Sequence, residues 1–152
     1  MMWSEYAICE ADKFWYDKEG RLYFKSGDMG RIDEDGFVIL LDRKKDMIIS
    51  GGFNVYAADI EVLLLKHPDV IDVAVIGIPS EQWGESPMAL CVRRAGASAT
   101  EDHVRDWANS RLSKTQRIVA VEFRDSLPRS TIGKIMKREL REPYWAGRSS
   151  RI

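Results

Sequence analysis

The sequence predicts an α+β fold in which helices pack on a small open β-sheet. From about residue 43 onward, apolar and β-branched runs alternate with segments of helical periodicity, in the order β–α–β–β–α–β–α. Residues 1–42 instead contain two strand–turn–strand patterns, many aromatic residues and no long apolar element. We therefore expect a β-rich fragment of a larger domain at 1–42, a small domain at 43–141 and a tail at 142–152.

Two hairpins are predicted in residues 1–42. Asp17-Lys18-Glu19-Gly20 provides the first turn, and an Asp-Gly pair at 35–36 suits a second tight turn with positive φ. The four strands are predicted at residues 13–16, 21–25, 29–32 and 37–41.

The small domain begins with a polar break at 42–45, followed by a short strand at 47–49 and a flexible glycine loop at 50–52. A helix is predicted at 57–67, because apolar residues recur there at i, i+3, i+4 and i+7. The remaining strands are predicted at residues 70–78, 87–93 and 118–123.

Two further helices are predicted from capping and stop signals. Thr100 can cap a helix at 101–112. A last short helix is expected to begin at Gly133 and to end near Arg141, since Pro143 cannot donate a helical hydrogen bond.

The composition limits the classes of function. Lys and Arg number 23 and Asp and Glu 24, for a net charge of −1, so charge gives no overall reason to bind nucleic acid or a membrane. Cys9 and Cys91 are far apart, with no other ligand at metal-binding spacing, which argues against a disulfide framework or a zinc site. No run approaches the ~18 apolar residues of a membrane span, and the start shows no export signal. We expect a cytoplasmic protein.

Asp28 and Arg43 form the first candidate site. Asp28 lies on a bend between the hairpins, and a carboxylate there can accept two hydrogen bonds from the paired hydroxyls of a ribose. A hairpin can return Arg43 to the same place, where its guanidinium would hold the sugar from the other side. The ordinary alternatives are a turn-capping aspartate and a surface ion pair.

The polar break and the glycine loop are weaker signals. Lys45 lies in the break, which is either an exposed turn or a hinge. Gly51 and Gly52 permit close approach of a ligand to the backbone, although a strand-to-helix turn explains them equally well. Asn54 precedes the helix, where an amide can face an anion or an extended thiol chain.

Lys134 is the sharpest candidate, in Pro128-Arg129-Ser130-Thr131-Ile132-Gly133-Lys134. An ammonium is a compact charge suited to an oxyanion or a phosphate. Most lysines are simply solvated, so this residue gains significance only from the segments around it.

The order and spacing of these segments resemble the adenylate-forming acyl-CoA synthetases, a family of acyl- and aryl-CoA ligases, luciferases and peptide-synthetase adenylation domains. The segment 24–28 is similar to the family's Thr-Gly-Asp motif, with Ser26 in place of the usual Thr. The segment 42–61 resembles its hinge and glycine-loop motif, and 128–134 resembles its final lysine motif. Ala57-Ala58-Asp59 departs from the Pro, small residue and Glu that many members carry.

The resemblance implies ATP, Mg²⁺ and coenzyme A as cofactors and a role for each candidate. Lys134 would bridge the carboxylate substrate and the α-phosphate during adenylation, and Lys45 would be the hinge of a mobile C-terminal lid. The other implied contacts are the ribose for Asp28 and Arg43, the pantetheine passage for Gly51 and Gly52, and the phosphates for Asn54.

The family's phosphate loop, adenine pocket and acyl pocket belong to a large N-terminal domain and have no counterpart in this sequence. The resemblance therefore implies that this chain is a C-terminal lid joined to the last β elements of the main domain. It implies that the chain is inactive alone, and that its partners are the main domain and a carboxylic acid substrate. Exposed β edges leave room for an oligomer. Two alternatives stay open: an adenylation domain that loads a carrier protein, and a non-enzymatic α+β module whose basic C-terminal face binds an acidic partner or RNA.

Overall fold

The structure, a computed structural model, describes residues 14–147. This part of the chain begins with two antiparallel hairpins. Strand β1 (Phe14–Tyr16) pairs with β2 (Leu22–Phe24), and β3 (Asp28–Ile32) pairs with β4 (Val38–Arg43). One aspartate closes each turn: Oδ1 of Asp17 accepts from the N–H of Arg21, and Oδ1 of Asp33 accepts from the N–H of Phe37, both at 2.8 Å. Both predicted hairpins are confirmed, and only residue 13 of the predicted strands lies outside the described residues.

The chain divides between Lys44 and Lys45 into two compact units, and the second contains a five-stranded sheet. Its strands are β5 (Ile48–Ser50), β6 (Phe53–Val55), β7 (Val70–Ser80), β8 (Gly84–Arg93) and β9 (Ala120–Arg124). Strand β7 pairs antiparallel with β8 along the whole of one edge. The other edge of β8 is shared, because β5 pairs with it at Gly84 and β9 pairs with it in parallel from Met88 to Val92.

Helices cover both faces of this sheet. They are α1 (Ala57–Leu64), α2 (Glu101–Asn109) and α3 (Lys137–Trp145), with a 3₁₀ turn at Lys114–Gln116. Alternate residues of β7 point to opposite faces. Val73 and Val75 join the buried cluster that includes α1 and α2, whereas Ala74 and Ile76 join the cluster that packs against α3. The predicted α+β class is confirmed, and burial on both faces explains the continuous apolar runs in β7 and β8.

The glycine loop differs from its prediction as a flexible loop. Gly51 and Gly52 form a two-residue turn between β5 and β6, and the short strand β6 was not predicted. Their φ angles are 57° and 83°, and a type I′ hairpin turn requires positive φ at both central residues.

The helix boundaries also need correction. The last helix was predicted to begin at Gly133 and to stop before Pro143, but α3 begins at Lys137 and contains Pro143. The missing hydrogen bond of the proline falls in the last turn, and that turn is anchored to the sheet because Nε1 of Trp145 donates to the Gly77 carbonyl at 3.0 Å.

The first two helices are shorter than predicted. Helix α1 ends at Leu64 and α2 ends at Asn109. After α1 the N–H groups of Lys66 and His67 bond to carbonyls three residues earlier, so the chain tightens into turns instead of continuing the helix to residue 67.

Candidate functional site

Asp28 and Arg43 are direct partners in the second hairpin. Nε of Arg43 lies 3.7 Å from Oδ1 of Asp28, and the two side chains are 61% and 37% exposed. The bend before Asp28 depends on Gly27, with φ of 80°, and the N–H of Asp28 donates to Oγ of Ser26 at 3.2 Å. An ion pair this exposed contributes about 0–1 kcal/mol to stability. The hairpin therefore presents a carboxylate acceptor beside a guanidinium donor, and the expected proximity of the two residues is confirmed.

Lys45 is the first residue of the second unit. Its carbonyl oxygen accepts a hydrogen bond of 3.2 Å from Nη1 of Arg141 in α3. The backbone at the predicted hinge is thus connected to the C-terminal helix of its own unit.

The glycine turn lies against Trp83, a residue that no sequence motif indicated. The N–H of Gly51 donates to the Trp83 carbonyl at 2.8 Å. A Cβ atom at position 51 would lie 2.7 Å from Cε3 of Trp83, whereas one at position 52 would meet no atom within 4 Å. Gly51 is therefore required both for its φ and for its lack of a side chain. The sequence signal that could have identified Trp83 is a large aromatic residue in the predicted connection between two strands.

A groove of about 200 Å³ opens beside this turn. Its lining residues are Ile49, Gly52, Trp83, Gly84 and Glu85. Glu85 is only 5% exposed, and its Oε2 accepts from the N–H of Ile49 at 3.4 Å. Asn54 is exposed on β6, opposite Ile49 in the ladder. The turn thus combines accessible backbone, an aromatic wall and a polar side chain at one end of the sheet.

Lys134 lies on a small hairpin of its own. Arg129 and Ile135 form an antiparallel bridge, and the N–H of Ser130 donates to the Lys134 carbonyl at 2.8 Å. The φ of Gly133 is 80°, and glycine adopts this backbone conformation without steric cost. The tight turn before Lys134 depends on it. The side chain of Lys134 is exposed, and among residues 14–147 it has no ion-pair partner. A positive charge is therefore presented to solvent from an ordered loop.

The Lys134 hairpin and the glycine turn are fixed near opposite ends of the β7–β8 pair. Arg129 pairs with Asp72 near the start of β7, whereas the glycine turn bonds to Trp83, beside the Ser80–Gly84 pair at the other end. Asp72 and Ser80 are eight positions apart (80 − 72) in one strand, which corresponds to about 26 Å at ~3.3 Å per residue. The unit thus carries the two candidate segments at separate ends of the sheet.

The remaining candidate groups are structural. Burial raises the pKa of the Cys91 thiol to about 12, so it is not a nucleophile at neutral pH. His67 is buried just after α1, with its ring 4.9 Å from that of Trp107, and Nδ1 accepts from the N–H of Asp69 at 3.1 Å. Across residues 14–147, no group of three His, Cys, Asp or Glu side chains is placed to hold a metal ion. No helix in that range combines the length and apolar character that crossing a bilayer requires.

Comparison with known proteins gives consistent matches. The family model described as the AMP-binding enzyme C-terminal domain matches residues 59–134. The 2-succinylbenzoate–CoA ligase of Geobacillus kaustophilus is 44% identical over 119 residues, covering 78% of this chain and 24% of that protein. The 4-coumarate–CoA ligase 2 of Nicotiana tabacum is 44% identical over 131 residues, covering 86% of this chain and 24% of that protein.

A solved structure agrees with these matches. The crystal structure of ATP-bound MatB from Rhodopseudomonas palustris superposes with a TM-score of 0.77 at 40% identity. The match covers 86% of this chain and 26% of the MatB chain. The chain thus spans about a quarter of the length of the relatives that it matches.

Proposed function

Since the chain belongs to the family of AMP-binding enzyme C-terminal domains, we propose that it acts as the lid of an ATP-dependent, AMP-forming acyl-CoA ligase. The reaction converts a carboxylate, ATP and coenzyme A into acyl-CoA, AMP and pyrophosphate. The observation that carries the proposal is the placement of Lys134 and the glycine turn near opposite ends of one unit. A lid of this shape can present a cation in one half-reaction and accessible backbone in the other.

In the first half-reaction, a carboxylate oxygen attacks the α-phosphorus of ATP and the bond to pyrophosphate breaks. Negative charge develops on the phosphoryl oxygens, and a positioned ammonium stabilises it. Lys134 is suited to this role because its side chain is exposed and carries no ion pair within residues 14–147. Asp28 and Arg43 offer the acceptor and donor that a ribose requires. We assign Mg²⁺ to the phosphates of ATP.

In the second half-reaction, the thiol sulfur of coenzyme A attacks the acyl carbonyl carbon and the bond to AMP breaks. The turn at Gly51 and Gly52 presents backbone without side chains, next to the groove beside Trp83. A narrow pantetheine arm fits such a surface. The two ends are separated by about 26 Å along β7, so they cannot serve one reaction centre at the same time. We assign the exchange between them to rotation at Lys45, where the two units meet in sequence.

A larger N-terminal domain is part of the proposal. The matched relatives are about four times as long as the matched part, and the hairpins of the first unit expose large apolar side chains. Among them are Leu22, Phe24, Ile32, Phe37, Val38 and Leu40. Exposed apolar side chains at this density are typical of a surface that packs against a further domain. We place the reaction in the cytoplasm, where ATP and coenzyme A are available.

The test is Lys134→Ala in the intact enzyme that carries these residues. We first identify the acid with a panel of 2-succinylbenzoate, 4-coumarate and straight-chain acids from acetate to palmitate. ATP–pyrophosphate exchange then measures adenylation, and release of AMP from supplied acyl-AMP and coenzyme A measures thioester formation. We expect adenylation to fall by at least about 10²-fold and thioester formation to change by less than about twofold. Equal loss of both half-reactions contradicts the proposed role of Lys134.

A second variant tests the hinge. Lys45→Pro fixes φ at residue 45 and restricts the backbone rotation that the exchange requires. We expect adenylation to persist and thioester formation to fall, because a lid trapped in the adenylating state cannot rotate to the thioester-forming one. If thioester formation is unchanged in Lys45→Pro, the hinge is elsewhere.

A further inference from the structure

The peptide group that joins Gly133 to Lys134 is held by side chains at both of its polar atoms. The Gly133 carbonyl oxygen accepts a hydrogen bond of 2.8 Å from Nη1 of Arg129. The N–H of Lys134 donates to Oγ of Ser130 at 3.2 Å. Because a peptide group is planar, bonds at both ends fix its orientation. They also fix the direction in which the Lys134 side chain leaves the backbone.

Arg129 connects this peptide group to the sheet. Its Nη2 lies 2.5 Å from Oδ2 of Asp72 in β7. The other oxygen of Asp72 accepts from the N–H of Val73 at 3.1 Å, which orients the carboxylate. The guanidinium thus bonds the Asp72 carboxylate and the Gly133 carbonyl at the same time, and its planar fork holds the two in a fixed relation. The single ammonium of a lysine cannot reproduce that geometry.

We infer that Arg129, oriented by Asp72, is a positioning residue for Lys134. The inference rests on the proposed function of Lys134 in adenylation. An ammonium on a flexible four-carbon stem reaches a wide volume unless its backbone is fixed. The nearby Lys137 is held instead by an ion pair of 2.7 Å with Glu61, but Lys134 has no such partner among residues 14–147. The orientation of its peptide group therefore limits where its charge can go.

The experiment compares Arg129→Lys, Lys134→Ala and Arg124→Ala in the intact enzyme. Arg124 is the matched control, because it has similar exposure and its own ion pair of 2.7 Å with Glu122, and its Nη2 also donates to the Tyr144 hydroxyl and not to the Gly133 carbonyl. A displacement of about 1 Å in a catalytic group can reduce a rate by about 10²-fold. We expect Arg129→Lys to lower kcat for ATP–pyrophosphate exchange by roughly 10- to 100-fold, with KM for the acid changed less than about threefold. Thioester formation from supplied acyl-AMP should stay within about twofold of wild type in Arg129→Lys and Arg124→Ala.

A second readout does not depend on activity. Amide hydrogen exchange by NMR on the 152-residue chain reports the order of the hairpin at the Lys134 N–H. We expect this amide to exchange faster in Arg129→Lys than in wild type, and at the wild-type rate in Arg124→Ala. An unchanged Lys134 amide in Arg129→Lys overturns the inference.

The outcomes separate the inference from the proposed function. If Lys134→Ala abolishes adenylation while Arg129→Lys keeps wild-type kcat, Lys134 is catalytic and Arg129 does not position it. If Lys134→Ala retains adenylation, the proposed function itself fails. If Arg129→Lys lowers both half-reactions equally, Arg129 has only a structural role and the inference is wrong.

Discussion

Substituting alanine at Gly51 should destabilise the second unit more than the same change at Gly52. Both residues have positive φ, 57° and 83°, so an added Cβ costs about 1–2 kcal/mol of backbone strain at either position. The surroundings differ. At position 51 the Cβ would lie 2.7 Å from Trp83, but at position 52 it would meet nothing within 4 Å.

The additional cost at Gly51 comes from moving the Trp83 ring. Overpacking typically costs about 1–3 kcal/mol, and we take the lower end because Trp83 is half exposed and can shift. The free energy of unfolding should therefore fall by about 2–3 kcal/mol in Gly51→Ala and by about 1–2 kcal/mol in Gly52→Ala. With an m-value of about 1–3 kcal/mol/M, the difference corresponds to roughly 0.3–1 M in the urea midpoint.

The assay is urea denaturation at 25 °C, followed by far-UV circular dichroism and tryptophan fluorescence. A double-mutant cycle with Trp83→Ala isolates the contact, because Gly51→Ala should then cost only the backbone strain. If Gly51→Ala and Gly52→Ala have the same midpoint, or if removing Trp83 does not reduce the cost of Gly51→Ala, the reasoning is refuted.

Two further predictions concern the core and the pH dependence. Ile60→Ala removes a fully buried side chain and should lower the free energy of unfolding by about 2–5 kcal/mol. Val62→Ala, at an exposed position of the same helix, should lower it by less than about 0.5 kcal/mol. Equal urea midpoints for the two variants would contradict the burial of Ile60. Burial lowers the pKa of His67 below its usual value, so the unfolded chain takes up a proton near pH 6.5 before the folded chain does. Stability should therefore fall as the pH decreases below about 6.5. Urea midpoints from pH 7.5 to 5 measure this loss, and a slope unchanged in His67→Gln would show that another group causes it.

Local sequence signals were sufficient for the hairpins of the first unit. An aspartate and a glycine define each turn, and the turn position sets the register from the Ile32–Val38 pair to the Gly30–Leu40 pair. A β-bulge then shifts the pairing by one residue, and this shift, which the sequence did not predict, places Arg43 opposite Asp28. The long strands β7 and β8 were predictable for a similar reason, because both of their faces are apolar and the runs are continuous.

The sequence was insufficient where distant contacts decide the structure. Strand β6 has three residues and no periodicity, and it exists because its backbone pairs with β5. Gly133 predicted the start of a helix, but the segment forms a hairpin. The ion pair between Arg129 and Asp72 that holds this hairpin joins residues 57 positions apart in the sequence. Pro143 predicted a helix stop, but the helix continues to Trp145. The hydrogen bond from Trp145 to Gly77, 68 positions away, anchors this last turn and is not visible in the local sequence. The roles of the candidate site residues stay predictions until the variants are measured.

The burial of both faces of the central sheet has a consequence for engineering. Neither face of β7 or β8 is available to a ligand, so any contact with a small molecule is confined to turns and strand ends. Those segments can be exchanged between homologous enzymes with little repacking of the interior if Ile135, which packs against the core, is kept. Grafting the glycine turn and the lysine hairpin one at a time into a homologous enzyme would show which segment determines the rate of each half-reaction.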